Sequence, residues 1–290
     1  MILILGTIFA GLLGLAFGRF LNVCLSRWPE GESIALPRSH CRQCGRTLTW
    51  WENVPLLSWL ALRGRCRTCR AWIGWRYPLV ELAVGALWAS CWYEFATPAM
   101  LDDSTGALAA VGLRIVGLAI FYWLLVGLAA LDAEHLWLPD AVTLPGIVLG
   151  VVFTVLSGSV YATAESHRPP MSILLGCAFS ILAAAALILL IRWVYWLIRR
   201  REGIGLGDAK LMALLAAWLG LPGALLAFGL GVLLGALAAV ILLAVPPARR
   251  DSGSWALSKL PLGTFLCLGG MVSSLWGERI IAAYLRWAGF

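Results

Sequence analysis

Residues 199–221 read RRREGIGLGDAKLMALLAAWLGL. Three arginines and a glutamate close one long apolar run, and a second apolar run begins within the same stretch. Between the two lie Gly203, Gly205 and Gly207, followed by Asp208 and Lys210. Ionisable groups at membrane depth are costly, so an aspartate placed at the mouth of an apolar helix points first to function. Glycine permits close backbone approach and positive φ. Gly205 and Gly207 are therefore expected to bring a facing helix, or an extended substrate backbone, near Asp208. The first turn of a helix also favours a carboxylate through the macrodipole.

The rest of the chain fits a membrane setting. Of its 290 residues 61% are hydrophobic and 13% charged, about half the charged share of a soluble domain. Apolar segments long enough to span, at about 20 residues each, lie near 2–17, 79–97, 108–131, 140–157, 171–198, 208–222, 223–245 and 261–283. The expected fold is an all-α polytopic membrane protein with about eight transmembrane helices and one small zinc-ribbon-like loop domain. Its parts are a first helix (1–17), a four-cysteine segment (18–78) and a helical core (79–290). The first run has neither a basic flank nor a small-residue cleavage site and reads as a retained span. The sixth and seventh meet at Leu221-Pro222-Gly223, which reads as a tight hairpin.

Basic residues set the orientation. Segments 18–78, 199–210 and 246–260 hold 17 of the 22 lysines and arginines, and eight spans put all three segments on one side. The alternate connections carry Asp102 and Asp103, and Glu165 with Arg168. The positive-inside rule then places the N-terminus outside and the basic segments in the cytoplasm. Because the arginines follow the loops, the net charge of +7 does not indicate nucleic-acid binding.

Segment 18–78 contains two CxxC pairs, Cys41/Cys44 and Cys66/Cys69, with 21 residues between them. Two such turns supply four thiolates for one tetrahedral zinc ion. Gly45 suits a tight turn, and Arg65, Arg67 and Arg70 help to keep thiolates ionised. Disulfides or a redox pair are the alternatives, and a reducing cytoplasm argues against structural disulfides. Four protein ligands leave no open position, so the metal is structural. Cys24, Cys91, Cys177 and Cys267 share no spacing and read as packing residues. Trp50, Trp51, Trp59, Trp72 and Trp75 also fall in this segment, either as its core or against headgroups.

A second polar island interrupts the apolar pattern at LDAEHLWLPD, residues 131–140. Glu134 and His135 read as an ordinary polar loop, and Asp140 as a residue near a helix start after Pro139. Asp132 ends the apolar run VGLAAL. Two spans separate it from Asp208, so both carboxylates return to the same membrane edge. Two carboxylates held close cannot both ionise readily and share a proton. That state serves an aspartic protease, though the same pair would suit cation binding or a transport path.

Several stretches together resemble the type IV prepilin peptidases, or leader peptidase/N-methyltransferases. Gly205-Leu206-Gly207-Asp208-Ala209-Lys210 resembles the family's GxGDxK. Asp132 with Leu138-Pro139-Asp140 and Thr143-Leu144-Pro145 resembles its first-aspartate segment. Further matches are Phe20-Leu21-Asn22-Val23, both CxxC pairs, Asn53 to Trp59, Arg63-Gly64-Arg65-Cys66 and Arg76 to Glu81. The resemblance implies a bacterial inner-membrane aspartic endopeptidase. It would cut basic leaders from type IV prepilins or type II secretion pseudopilins at the cytoplasmic face. N-methylation of the new terminus from S-adenosylmethionine would follow. Asp132 and Asp208 carry over as the catalytic pair, and Asp140 is the competitor for the first role. Gly205, Gly207 and Lys210 support the motif. Two departures fall in the region associated with methyl transfer: Arg19 stands where the family has serine, and Cys41-Arg42-Gln43-Cys44 lacks a frequent proline. Rival readings are a transporter coupling a proton or cation through the aspartates, and a membrane adaptor docking through its metal loop.

Overall fold

The computed structural model describes residues 1–99, 105–162, 169–201, 203, 205–244 and 260–289. Several charged residues used for orientation (Asp102, Asp103, Glu165, Arg168, Arg249, Arg250 and Lys259) lie outside that set. The described residues form helices α1 (Ile2–Arg27), α2 (Leu57–Ala61), α3 (Arg76–Ala99), α4 (Thr105–His135), α5 (Asp140–Ala162), α6 (Pro170–Arg199), α7 (Leu206–Ala244) and α8 (Leu262–Trp287). In lipid only a helix satisfies its own backbone without partners, which accounts for the uniform choice. Among the described residues, six stretches are long and apolar enough to cross a membrane: Ile2–Glu30, Ala110–His135, Asp140–Gly158, Pro170–Arg199, Leu206–Leu242 and Leu262–Trp287. The protein is thus an all-helical, multi-pass membrane protein, as its composition led one to expect.

The remaining two expected spans have separate explanations. A straight helix over Leu206–Ala244 would be about 58 Å long, nearly twice the hydrocarbon thickness. It is broken at Gly220, whose φ of 68° and ψ of 177° are not helical. The break falls just before Leu221-Pro222-Gly223. Ala217, in the last turn before it, has its carbonyl bonded by the Thr154 hydroxyl of α5 at 2.8 Å. The other case, α3, is made less apolar by Glu81, Glu94 and its tryptophans, but it packs along the spanning helix α1.

The chain forms two compact units, Met1–Ala130 and Leu131–Phe290. In the first, α1 and α3 run antiparallel at very short range. A Cβ on Gly14 would lie 2.9 Å from the Gly85 Cα, and one on Gly18 would lie 2.7 Å from the Glu81 Cα. Small residues of this kind let membrane helices approach closely. α1 continues through FLNVCL to Arg27, well into the segment 18–78. In the second unit, α7 packs against α5, α6 and α8.

Candidate active site and metal centre

In the second unit, α4 ends just after Asp132. The Leu136 amide bonds the Asp132 carbonyl at 2.9 Å, and Leu136 adopts a positive φ of 50°. This is a left-handed helix stop, and Pro139 prevents the helix from resuming immediately. α5 then starts at Asp140, with the Pro139 carbonyl accepting the Val142 and Thr143 amides at 3.0 Å each. The turn leaves Asp132 buried at 6% exposure.

The partner of Asp132 comes from the first turn of α8. Its Oδ2 accepts the Thr264 amide at 2.7 Å and the Thr264 hydroxyl at 3.2 Å. Gly263 makes that approach possible, because a Cβ there would stand 3.0 Å from both Cγ and Oδ2 of Asp132. Neither residue was singled out in the sequence. The available signal was Leu260-Pro261-Leu262-Gly263-Thr264, a proline and glycine opening an apolar run much as the glycines before Asp208 do.

Asp208 sits in the first turn of α7 and is also buried, at 9% exposure. Its Oδ2 accepts the Gly205 amide at 3.1 Å. Asp132 lies within electrostatic range of Asp208, and the fully buried Cys267 thiol lies within range of both. The structure therefore brings together the two aspartates that the sequence paired. The hydrogen bonds from Thr264 and Gly205 all fall on Oδ2, and the Gly263 amide also lies against the Asp132 carboxylate.

The glycines work by close approach. Gly207 and Gly205 are absent from the positive-φ residues, so the left-handed role is not used. A Cβ on Gly207 would meet the Leu138 Cβ at 3.2 Å, and Leu138 Cδ1 would meet a Cβ on Gly263 at 3.1 Å. Leu138 is thus wedged between the first turns of α7 and α8. Asp140 is placed differently from Asp132. It is 58% exposed at the side chain and forms an ion pair with Lys210 at 2.5 Å. Glu134 and His135 are exposed and 3.8 Å apart, but they belong to the last turn of α4 and not to a loop.

In the first unit the four cysteines converge. The sulfurs of Cys41, Cys44, Cys66 and Cys69 all lie within 4.8 Å of one another, and Cys41 and Cys69 are 3.7 Å apart. A tetrahedral ion bound through bonds of about 2.3 Å requires sulfurs about 3.8 Å apart, so the residues fit a metal. All four are free thiols. The two turns are copies of one device. Cys41 N–H bonds Arg46 O at 2.9 Å, and Cys66 N–H bonds Ala71 O at 2.9 Å. The left-handed position is Gly45 in one, at φ 70°, and Arg70 in the other, at φ 58°. The Cys69 and Thr68 amides hold the Cys66 thiol down at about 6. The Ala71 amide favours the Cys69 thiolate, but desolvation and the neighbouring sulfurs outweigh it and hold that thiol at about 11. Thiols this close ionise together only around a cation.

Arg19, the departure in the first motif, links the helices to this loop. It reaches Glu81 Oε1 at 3.2 Å, Glu52 O at 3.2 Å and Asn53 Oδ1 at 3.3 Å. The other oxygen of Glu81 accepts the Leu56 amide at 2.8 Å. Of the loop tryptophans, Trp59, Trp72 and Trp75 touch one another at ring-centroid distances of 4.6–6.0 Å, with Trp72 and Trp75 still exposed, as is Trp50.

The chain is similar to known proteins over nearly its whole length. The Bacterial Peptidase A24 N-terminal domain matches residues 12–95, and the Type IV leader peptidase family matches residues 119–240. A prepilin leader peptidase/N-methyltransferase of Pseudomonas aeruginosa is 33% identical, over 96% of this chain and 93% of its own length. Proteins of the same name from Burkholderia pseudomallei and Aeromonas hydrophila are 36% and 33% identical, over 93% and 94% of this chain and 85% and 92% of their own lengths. No solved structure matches the chain. With near full-length relatives and buried aspartates in the matched region, the chain belongs to the type IV leader peptidase family.

Proposed function

We propose that this chain is a bacterial inner-membrane aspartic endopeptidase that removes the leaders of type IV prepilins or pseudopilins and then N-methylates the new terminus. The observation that carries the reading is the aspartate pair: two buried carboxylates from α4 and α7, each anchored by a backbone amide, within range of each other. In the proposed reaction one carboxylate removes a proton from water as the water oxygen attacks the scissile carbonyl carbon. The other, protonated, gives its proton to the carbonyl oxygen. Collapse of the tetrahedral intermediate breaks the C–N bond, and the leaving amine takes a proton from the pair. The exposed, lysine-paired Asp140 supports Asp132 in the first role. Relatives carrying peptidase names do not favour the transport reading.

Cys41, Cys44, Cys66 and Cys69 would hold zinc as a structural staple, since all four positions are protein ligands. S-adenosylmethionine would supply the methyl group. A cavity of about 240 Å³ beside Cys41 and Cys66 is lined by Trp59, Trp72, Tyr77 and Arg19. Trp59, Trp72 and Tyr77 offer ring faces for a purine. Beside it, Asn22 lines a smaller cavity of about 80 Å³, and its buried Oδ1 has no hydrogen-bond partner among the described residues. The arginine distribution supports placing the metal loop and both aspartates on the cytoplasmic side, with the N-terminus outside.

Mass spectrometry of a prepilin incubated with the purified protein tests this reading. The expected product has lost its leader and, with S-adenosylmethionine present, gained the mass of one methyl group. An uncut prepilin, with proton flux through vesicles containing the protein, would favour transport instead.

A further inference from the structure

We propose that Thr264, with Gly263 beneath it, is the positioning residue of the aspartate pair, holding Asp132 so that the reacting proton is confined to the Oδ1 oxygens. The proposal rests on the peptidase reading. An amide N–H only donates, so the carboxyl oxygen it meets is the acceptor oxygen, and a proton on that group sits on the other one. For Asp132 the reserved oxygen is Oδ2, bonded by the Thr264 amide at 2.7 Å. For Asp208 it is again Oδ2, bonded by the Gly205 amide at 3.1 Å. In each case the donor is an amide at a helix start with no partner inside that helix, Thr264 in the first turn of α8 and Gly205 just before α7.

The arrangement is unequal in one respect. Asp132 also receives the Thr264 hydroxyl at 3.2 Å, and its anchor lies 132 residues away in sequence. Gly205, by contrast, is only three residues from Asp208. The geometry of Asp132 therefore depends on how closely α8 approaches α4, and Gly263 sets that approach: an added Cβ would be 3.0 Å from the carboxylate carbon and 3.1 Å from Leu138 Cδ1. Thr264 holds the carboxylate from behind and leaves its other oxygen to the reaction.

The test is steady-state leader cleavage by Thr264→Val, Thr264→Ser and Thr264→Pro, with Asp208→Asn as a control and a thermal melt of each variant. Valine removes the hydroxyl bond and keeps the amide, and its kcat is expected to fall about tenfold at little changed KM. Serine keeps both bonds and should restore kcat to within about twofold of wild type. Proline removes the N–H at a position with no intrahelical partner and should lower kcat about a hundredfold. Wild-type kcat in the valine and proline variants overturns the proposal. So does a serine variant as slow as valine, which would make the side chain a packing element. If the proline variant melts early, the valine and serine pair decides. Cleavage persisting in Asp208→Asn is a different failure, because it removes the peptidase assignment itself.

Discussion

Asp132 and Asp140 bracket one short turn, and their surroundings give them different chemistry. Asp132 is buried and anchored by α8, whereas Asp140 is solvent-exposed and satisfied by Lys210. The sequence named both and left the choice to resemblance, because the deciding partner, Thr264, is remote along the chain and no local pattern marks it. The pairing of Lys210 with Asp140 was equally hidden, since it joins the starts of two helices. Glu52 illustrates a residue whose charge state organises its surroundings. Burial pushes its carboxyl up, but the Arg46 guanidinium and the Thr49 amide and hydroxyl overcome that and hold it at about 2, below the ordinary 4.5. A lowered carboxyl stabilises the fold above its ordinary range and loses that contribution as pH falls towards the folded value. Glu52→Gln should therefore leave the loop more open to proteolysis than wild type at neutral pH. The difference should shrink as pH drops from about 4.5 to about 2, which pepsin digestion of the two proteins across that window can follow. A gap that stayed constant would show that Glu52 acts by shape and not by charge.

Among the elements, those dictated by hydrophobic run length were the easiest to read. The eight expected spans correspond to α1, α3 to α6, the two parts of α7 and α8. The paired CxxC turns were legible because each turn is local and repeats one hydrogen-bonding scheme. Less legible was the way α1 and α3 lock together. Gly11, Gly14, Gly18 and Gly85 look unremarkable in an apolar run, and only their antiparallel register shows that they face the partner helix. The cavity beside the metal loop was invisible for a similar reason, since its walls come from α1, the two cysteine turns and the start of α3. Gly74 lines that cavity, and a Cβ there meets nothing within 4 Å. Gly74→Leu should therefore fold with its full metal content while weakening S-adenosylhomocysteine binding about tenfold or more. Equilibrium binding of the labelled compound checks this, and unchanged affinity would move the methyl donor elsewhere.

For the whole molecule, composition alone identified a multi-pass membrane protein, because the bilayer penalises charge so heavily that 13% charged residues leaves little alternative. Segment 18–78 carries ten arginines against three glutamates, a surplus as large as the net charge of the whole chain, so this segment dominates the expected orientation. The proposed catalysis rests on far fewer groups: two carboxylates held at the starts of two helices. The most direct measurement is cleavage of a prepilin by wild type, Asp132→Asn, Asp208→Asn and Asp140→Asn, all shown to be folded and with metal content recorded. The expected result is loss of at least about a thousandfold in the 132 and 208 variants, as for removal of an essential acid–base partner, and near wild-type cleavage in the 140 variant. Sustained cleavage by Asp208→Asn, or activity kept at 132 and lost at 140, would contradict the assignment.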